Sequence, residues 1–83
     1  MIVELSPKVN KYLVALDAPI KERIKNALHK LSLEPPRGDI VYMSGKDGFR
    51  LRVGKYRLLF DITDGKIIVH DIGLRGQIYK QGR

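Results

Sequence analysis

The fold is decided by residues 48–61, which read GFRLRVGKYRLLFD. Apolar and arginine residues alternate up to Val53, and the alternation resumes at Tyr56 after a Gly-Lys pair. A period of two is typical of a β-strand, and two such runs around a two-residue turn predict a β-hairpin. With Gly54-Lys55 as the turn, Val53 pairs with Tyr56.

The alternation also divides the side chains of this hairpin between two faces, because successive side chains on a strand point in opposite directions. The apolar face then carries Phe49, Leu51, Val53, Tyr56, Leu58, Phe60 and Ile62. The other face carries Arg50, Arg52 and Arg57. Guanidinium groups match phosphate oxygens, so we expect an anion site there, with a phosphodiester backbone as its ligand. The alternative is an ordinary solvent-facing half of an amphipathic sheet.

The composition limits the other sites that the chain can build. Its 83 residues predict one domain over 1–83 with a modest core. The absence of cysteine excludes disulfides and thiolate metal sites. Only His29 and His70 remain as imidazole ligands, and they are far apart in sequence. We therefore expect no metal and no small-molecule cofactor.

The charge points to a polyanionic partner. Sixteen lysines and arginines against nine acidic residues give a formal net charge of +7. Such an excess is typical of proteins that bind nucleic acid or an acidic protein, although a solvated basic surface without a ligand is the alternative. The cations cluster in the hairpin region, where Asp47 is the only acidic residue among them. The cluster consists of Lys46, Arg50, Arg52, Lys55 and Arg57, and the C-terminal end adds Arg75, Lys80 and Arg83.

The remaining elements follow from capping residues and periodicity. Ser6-Pro7 begins a first helix, and Asp17-Ala18-Pro19 ends it and begins a second that stops before Glu34-Pro35-Pro36. Short apolar runs predict strands at Ile2–Leu5, Ile40–Met43 and Lys66–Ile72 besides the hairpin, whereas Leu74–Arg83 shows no period. This order predicts an α+β fold, with the N-terminal strand and an αα-hairpin packed on one face of a small twisted antiparallel sheet.

The N-terminal residues contain neither a basic leader nor a long apolar run. We therefore expect a cytoplasmic protein without a membrane partner.

Two segments resemble a known family. Residues 48–60 are similar to the hairpin of the RelE/ParE superfamily of toxins from type II toxin–antitoxin systems. The ending IGLRGQIYK, residues 72–80, resembles the C-terminal arginine and tyrosine signature of that superfamily. The order of elements matches as well, so the resemblance covers essentially the whole chain. It implies the α+β fold of RelE and a cognate antitoxin as partner.

For RelE-like members, the resemblance implies a ribosome-dependent endoribonuclease. These toxins enter the ribosomal A site and cut mRNA, with the message's own 2′-hydroxyl attacking the scissile phosphate. The catalytic residues implied on this sequence are Arg50, Arg52, Arg57, Arg75 and Tyr79. Fixed cations suit this chemistry because they stabilise the charge of a phosphorane, and an aromatic ring can stack on a base. From their charge, we expect RNA contacts from Lys46, Lys55, Lys80 and Arg83.

One departure from the family pattern concerns the general base. Many RelE-like nucleases carry lysines where this chain has Arg50 and Arg52. Arginine stays protonated in proteins, so neither residue can accept a proton. The base is therefore unassigned, with His70, Tyr79, Asp61 and Asp71 as candidates.

Two other functions are compatible with the same pattern. A ParE-like toxin would inhibit DNA gyrase by binding, without nuclease chemistry. A non-catalytic relative would only bind RNA. For either toxin function, an acidic antitoxin segment that folds on binding would neutralise the basic face.

Overall fold

The computed structural model describes residues 1–43 and 48–77. Along this part of the chain the elements are β1 (Ile2–Leu5), α1 (Pro7–Val14), α2 (Ala18–Leu31), β2 (Asp39–Met43), β3 (Gly48–Val53), β4 (Tyr56–Thr63) and β5 (Lys66–Leu74). Both helices pack against one side of a five-stranded sheet, so the predicted α+β fold is confirmed. No helix within these residues has the length and apolar content needed to cross a membrane.

The sheet is mostly antiparallel, with strand order β1-β5-β4-β3-β2. The hairpin of β3 and β4 has the predicted register, since Val53 pairs with Tyr56 and Arg52 with Arg57. In contrast, β1 lies at the sheet edge and runs parallel to β5. Parallel neighbours need a long connection, and here it contains both helices and the other strands.

Capping explains where the helices begin. Ser6 is the N-cap of α1, and its Oγ accepts a hydrogen bond of 3.2 Å from the backbone N–H of Val9. Pro19 occupies the first turn of α2, where a missing N–H costs little. The first helix is predicted to run to Asp17, but α1 ends at Val14, and Leu16 packs on the core from the connection to α2.

The core lies between the helices and the apolar face of the sheet. Its buried residues are Val9, Leu13, Ile24, Leu31, Leu51, Leu58, Phe60, Ile67, Val69 and Ile72. The rings of Phe49 and Phe60 stack across the hairpin, with centroids 5.3 Å apart. Tyr12 packs edge-on against Tyr56, and burial, followed by the neighbouring Tyr56, raises the pKa of Tyr12. Hence the predicted apolar face is buried, except that Ile62 at its far end is 41% exposed.

A β-bulge interrupts the pairing of β4 with β5. Leu59 pairs with Asp71, whereas the next residue, Phe60, pairs with Val69, so His70 is an extra residue in β5. His70 is exposed, with its Nε2 3.4 Å from Oδ2 of Asp61. The bulge lets Val69 and Ile72 both face the core although they are three residues apart, a spacing that regular alternation along β5 does not allow.

Ile24 provides a test of this core. Its side chain is fully buried between α2 and the sheet. We expect Ile24→Ala to lower the free energy of unfolding by about 2–5 kcal/mol, because it removes buried methyl groups and leaves a cavity. Urea unfolding followed by circular dichroism measures this loss. The adjacent and exposed Lys25, changed to Ala, is the matched control and should alter stability by less than about 0.5 kcal/mol. Equal losses in the two variants would contradict this packing.

Candidate nucleic-acid interface

The predicted arginines lie on the outer face, which we define as the side of the sheet opposite the helices. Leu51 and Leu58 belong to the core, so their neighbours along the strands point outward. Arg52 and Arg57 are directly paired across β3 and β4. Arg50 lies one row further along, half-buried and paired with Leu59. All three arginines therefore share one face, as the alternation predicts, but their environments differ.

Arg57 is buried rather than exposed, with only 6% of its surface accessible. Its Nη1 donates hydrogen bonds to the backbone carbonyl oxygens of Gly54 at 3.3 Å and Tyr56 at 3.1 Å. The guanidinium thus turns back onto the hairpin turn, where these carbonyls need donors. The three guanidinium groups of the outer face are therefore not equivalent: Arg57 is buried, Arg50 is half-buried and Arg52 is exposed.

Arg52 has an acidic partner that the sequence analysis did not identify. Its Nε donates to Oδ2 of Asp39 at 2.8 Å, and both side chains are about half exposed. Asp39 is distant in sequence, but it lies directly opposite Arg52 in the pairing of β2 with β3. The sequence predicts that this strand begins at Ile40, which leaves Asp39 outside it. The register of β2 with β3 reveals the contact. An exposed pair of this kind contributes about 0–1 kcal/mol.

Three of the predicted cations line one pocket at the turn end of the outer face. This cationic pocket has a volume of about 390 Å³ and is lined by Gly54, Lys55, Arg57, Leu74 and Arg75. The backbone N–H of Arg75 donates to the carbonyl of Lys55 at 2.9 Å, which ties the end of β5 to the hairpin turn. The side chains of Lys55 and Arg75 are exposed around the buried Arg57. The arrangement offers three positive charges to one anion.

The candidate bases occupy different positions. Asp71 is buried, and its Oδ1 accepts from the backbone N–H of Ile72 at 2.9 Å and from Lys8 Nζ, also at 2.9 Å. Asp61 and His70 form the exposed pair at the bulge. Asp61 lies four residues along β4 from Arg57, which corresponds to about 13 Å in an extended strand. Neither pair therefore lines the cationic pocket.

Four predicted site residues, Lys46, Tyr79, Lys80 and Arg83, lie outside the described residues. Across 1–43 and 48–77, no group of three or more histidine, cysteine or acidic side chains is placed to hold a metal ion. A further cation, Arg23 of α2, is not among the predicted site residues. Its guanidinium packs against the hairpin turn at Gly54, a contact between distant segments that no local pattern predicts.

Solved structures with the same fold are toxins of toxin–antitoxin pairs. The RelB-RelE antitoxin-toxin complex from Methanococcus jannaschii matches at a TM-score of 0.77 and 23% identity, over 96% of this chain and 99% of that one. The archaeal RelE-RelB complex from Pyrococcus horikoshii OT3 matches at a TM-score of 0.77 and 26% identity, over 92% of this chain and 96% of that one. The isolated E. coli RelE toxin matches at a TM-score of 0.72 and 20% identity, over 98% of this chain and 93% of that one.

By sequence, no curated protein is similar enough to be matched to this chain. A family model does match, and it describes the ParE toxin of the type II toxin–antitoxin system parDE, over residues 3–79. That match spans nearly the whole chain, and the fold agrees with it. The chain therefore belongs to the ParE toxin family of type II toxin–antitoxin systems, within the RelE/ParE superfamily.

Proposed function

We propose that this toxin is a ribosome-dependent endoribonuclease that cleaves mRNA in the A site and binds the scissile phosphate in the cationic pocket. The observation that carries the proposal is the convergence of Lys55, Arg57 and Arg75 on one pocket of the outer face. The described residues that line this pocket belong to the strands and the turns, so the two helices do not cover it. Arg52, paired across the hairpin from Arg57, extends the positive charge to the neighbouring phosphate.

The proposed reaction needs charge stabilisation above all. The 2′-oxygen of the message attacks the adjacent phosphorus, its proton passes to a base, and the bond to the 5′-oxygen breaks while that oxygen takes up a proton from a general acid or from water. A 2′,3′-cyclic phosphate and a 5′-hydroxyl result. Negative charge accumulates on the phosphorane oxygens during this step, and fixed donors stabilise it best when they do not have to reorganise.

Arg57 meets that requirement most closely. Two carbonyl oxygens hold its Nη1, so the guanidinium is oriented before RNA binds. Burial also strengthens its interaction with an anion, because less water screens the charge. We assign the phosphorane contact to Arg57 together with the exposed Arg75, and ground-state phosphate binding to the exposed Lys55. Arg50 and Tyr79 remain predicted catalytic residues, and Lys46, Lys80 and Arg83 remain predicted RNA contacts.

The proposal includes a cognate antitoxin. The similar archaeal structures are complexes of RelE with RelB. An acidic antitoxin segment complements the charge of +7, and by covering the cationic pocket it would exclude RNA.

A second candidate function is inhibition of DNA gyrase. Two observations favour it: the matched family model describes ParE toxins, and the positions of Arg50 and Arg52 lack the lysines that could serve as a base. The two functions share the fold, and a fold does not determine function.

The cleavage activity should depend on Arg75. We expect Arg75→Gln to lower the cleavage rate on the order of 10²–10³-fold, because it removes one charged donor at the phosphate. Primer extension on a defined message in a purified translation system measures the rate and the position of the cuts. Lys25→Gln removes the same charge from an exposed site on α2 and should leave cleavage unchanged.

The same assay separates the two candidate functions. Cleavage ends within A-site codons that disappear in Arg75→Gln support the nuclease. An intact message in the presence of the wild-type toxin would contradict it. Inhibition of supercoiling by purified gyrase would then support the second candidate.

Antitoxin binding should be electrostatic in part. We expect the affinity for the co-encoded small acidic protein to fall as salt rises from 0.1 to 1 M, because the Debye length shortens from about 10 to about 3 Å. Isothermal titration calorimetry of wild type, Arg75→Gln and Lys25→Gln measures this, with the larger loss expected for Arg75→Gln. No binding, or equal losses for both variants, would contradict a partner that covers the cationic pocket.

A further inference from the structure

A second basic cleft lies on the other side of the hairpin turn, between α2 and the ends of β2 and β3. Its volume is about 350 Å³. The cations that line it are Arg23 and Lys30 from α2 and Arg52 from β3, together with the polar Asn26. Residues 23, 26 and 30 fall on one side of a helix, so α2 presents them to the cleft as a row.

Arg23 is held in place by the turn. A Cβ added at Gly54 would lie 3.2 Å from both Nη atoms of Arg23 and 3.4 Å from its Cζ. These nearly equal distances indicate that the plane of the guanidinium faces the glycine backbone. The guanidinium therefore lies beside the turn at the border of the cleft, and its planar fork suits two phosphate oxygens. Neither the Arg23 guanidinium nor Lys30 Nζ has a hydrogen bond or ion pair within residues 1–43 and 48–77.

One carboxylate also lines the cleft. Asp39 is paired with Arg52 through Nε, so it offsets one of the three cations and orients that guanidinium. The cleft therefore keeps a positive balance.

Arg52 connects the cleft to the cationic pocket. It lines the cleft and is also the cross-strand partner of Arg57, which lines the pocket. Gly54 lines both cavities. The two cavities therefore adjoin at the hairpin turn, with cations on both sides of it.

We propose that this cleft is a second phosphodiester-binding site, through which an RNA strand held at the cationic pocket continues around the Gly54 turn onto α2. The proposal rests on the proposed function in taking RNA as the polyanion. The separate positions of the cations favour it, because a strand offers successive phosphates at intervals, whereas one small anion would engage only one cavity.

The test measures RNA affinity against salt for the full-length protein. The probe is a fluorescein-labelled oligouridylate, with a length of about ten nucleotides that suits single-strand grooves. The cleft variant is Arg23→Gln/Lys30→Gln. The matched control, Lys11→Gln/Lys25→Gln, removes the same charge from exposed positions that do not line the cleft. We expect the slope of log affinity against log salt to fall by about 1.4 in the cleft variant, at about 0.7 per lost phosphate contact. Fluorescence anisotropy reads this out, and circular dichroism verifies folding.

A charge-conserving variant and a single variant complete the design. Arg23→Lys/Lys30→Arg should keep most of the affinity, since both cations remain. Lys30→Glu alone should weaken binding more than Lys25→Glu does, and it tests the cleft without disturbing the contact of Arg23 with the turn.

Equal affinities and slopes for the cleft variant and its control would overturn the inference. A loss of affinity for poly-glutamate with unchanged RNA binding would overturn it too, and would identify an acidic protein as the occupant. Failure of the proposed function looks different: the cleft variant then loses RNA affinity as expected, but the wild-type toxin leaves ribosome-bound mRNA intact.

Discussion

The register of the β3–β4 hairpin is the constraint on which the rest of the structure depends. Gly54 has a φ of +60°, a conformation that glycine adopts without strain, and with Lys55 it makes the two-residue turn that pairs Val53 with Tyr56. A slip of one residue would exchange the two faces of a strand. The leucines of the core and the arginines of the outer face would then change places, so the register sets the face of both groups together.

The turn also organises the charged surface. Arg23 packs against Gly54 from one side, and Lys55, Arg57 and Arg75 surround the pocket on the other. Arg57 is held by the carbonyls of the turn itself, so the same backbone geometry that sets the register also orients the buried guanidinium. A side chain at position 54 would be strained and would crowd Arg23. The glycine thus serves the fold and the candidate site at once.

The family and the chemistry are established at different levels. The match over residues 3–79 makes this chain a toxin of a type II system, and the structural neighbours agree on the fold. Whether such a scaffold cleaves RNA or inhibits another target depends on a few side chains at the outer face. Here those side chains are arginines, which supply charge stabilisation but cannot take up a proton. A nuclease on this scaffold must find its base elsewhere.

The sequence by itself determined the features that depend on local pattern: the α+β class, the helix starts, the hairpin register and the face of each arginine. These follow from capping, turn residues and a period of two, which act between near neighbours in the chain. The folded structure alone reveals the parallel pairing of β1 with β5, the bulge at His70, the pairing of Arg52 with Asp39 and the burial of Arg57. Each of these is set by contacts across the sheet or by how far a neighbouring segment covers a side chain. No local periodicity encodes such contacts, because they join residues that the chain keeps apart.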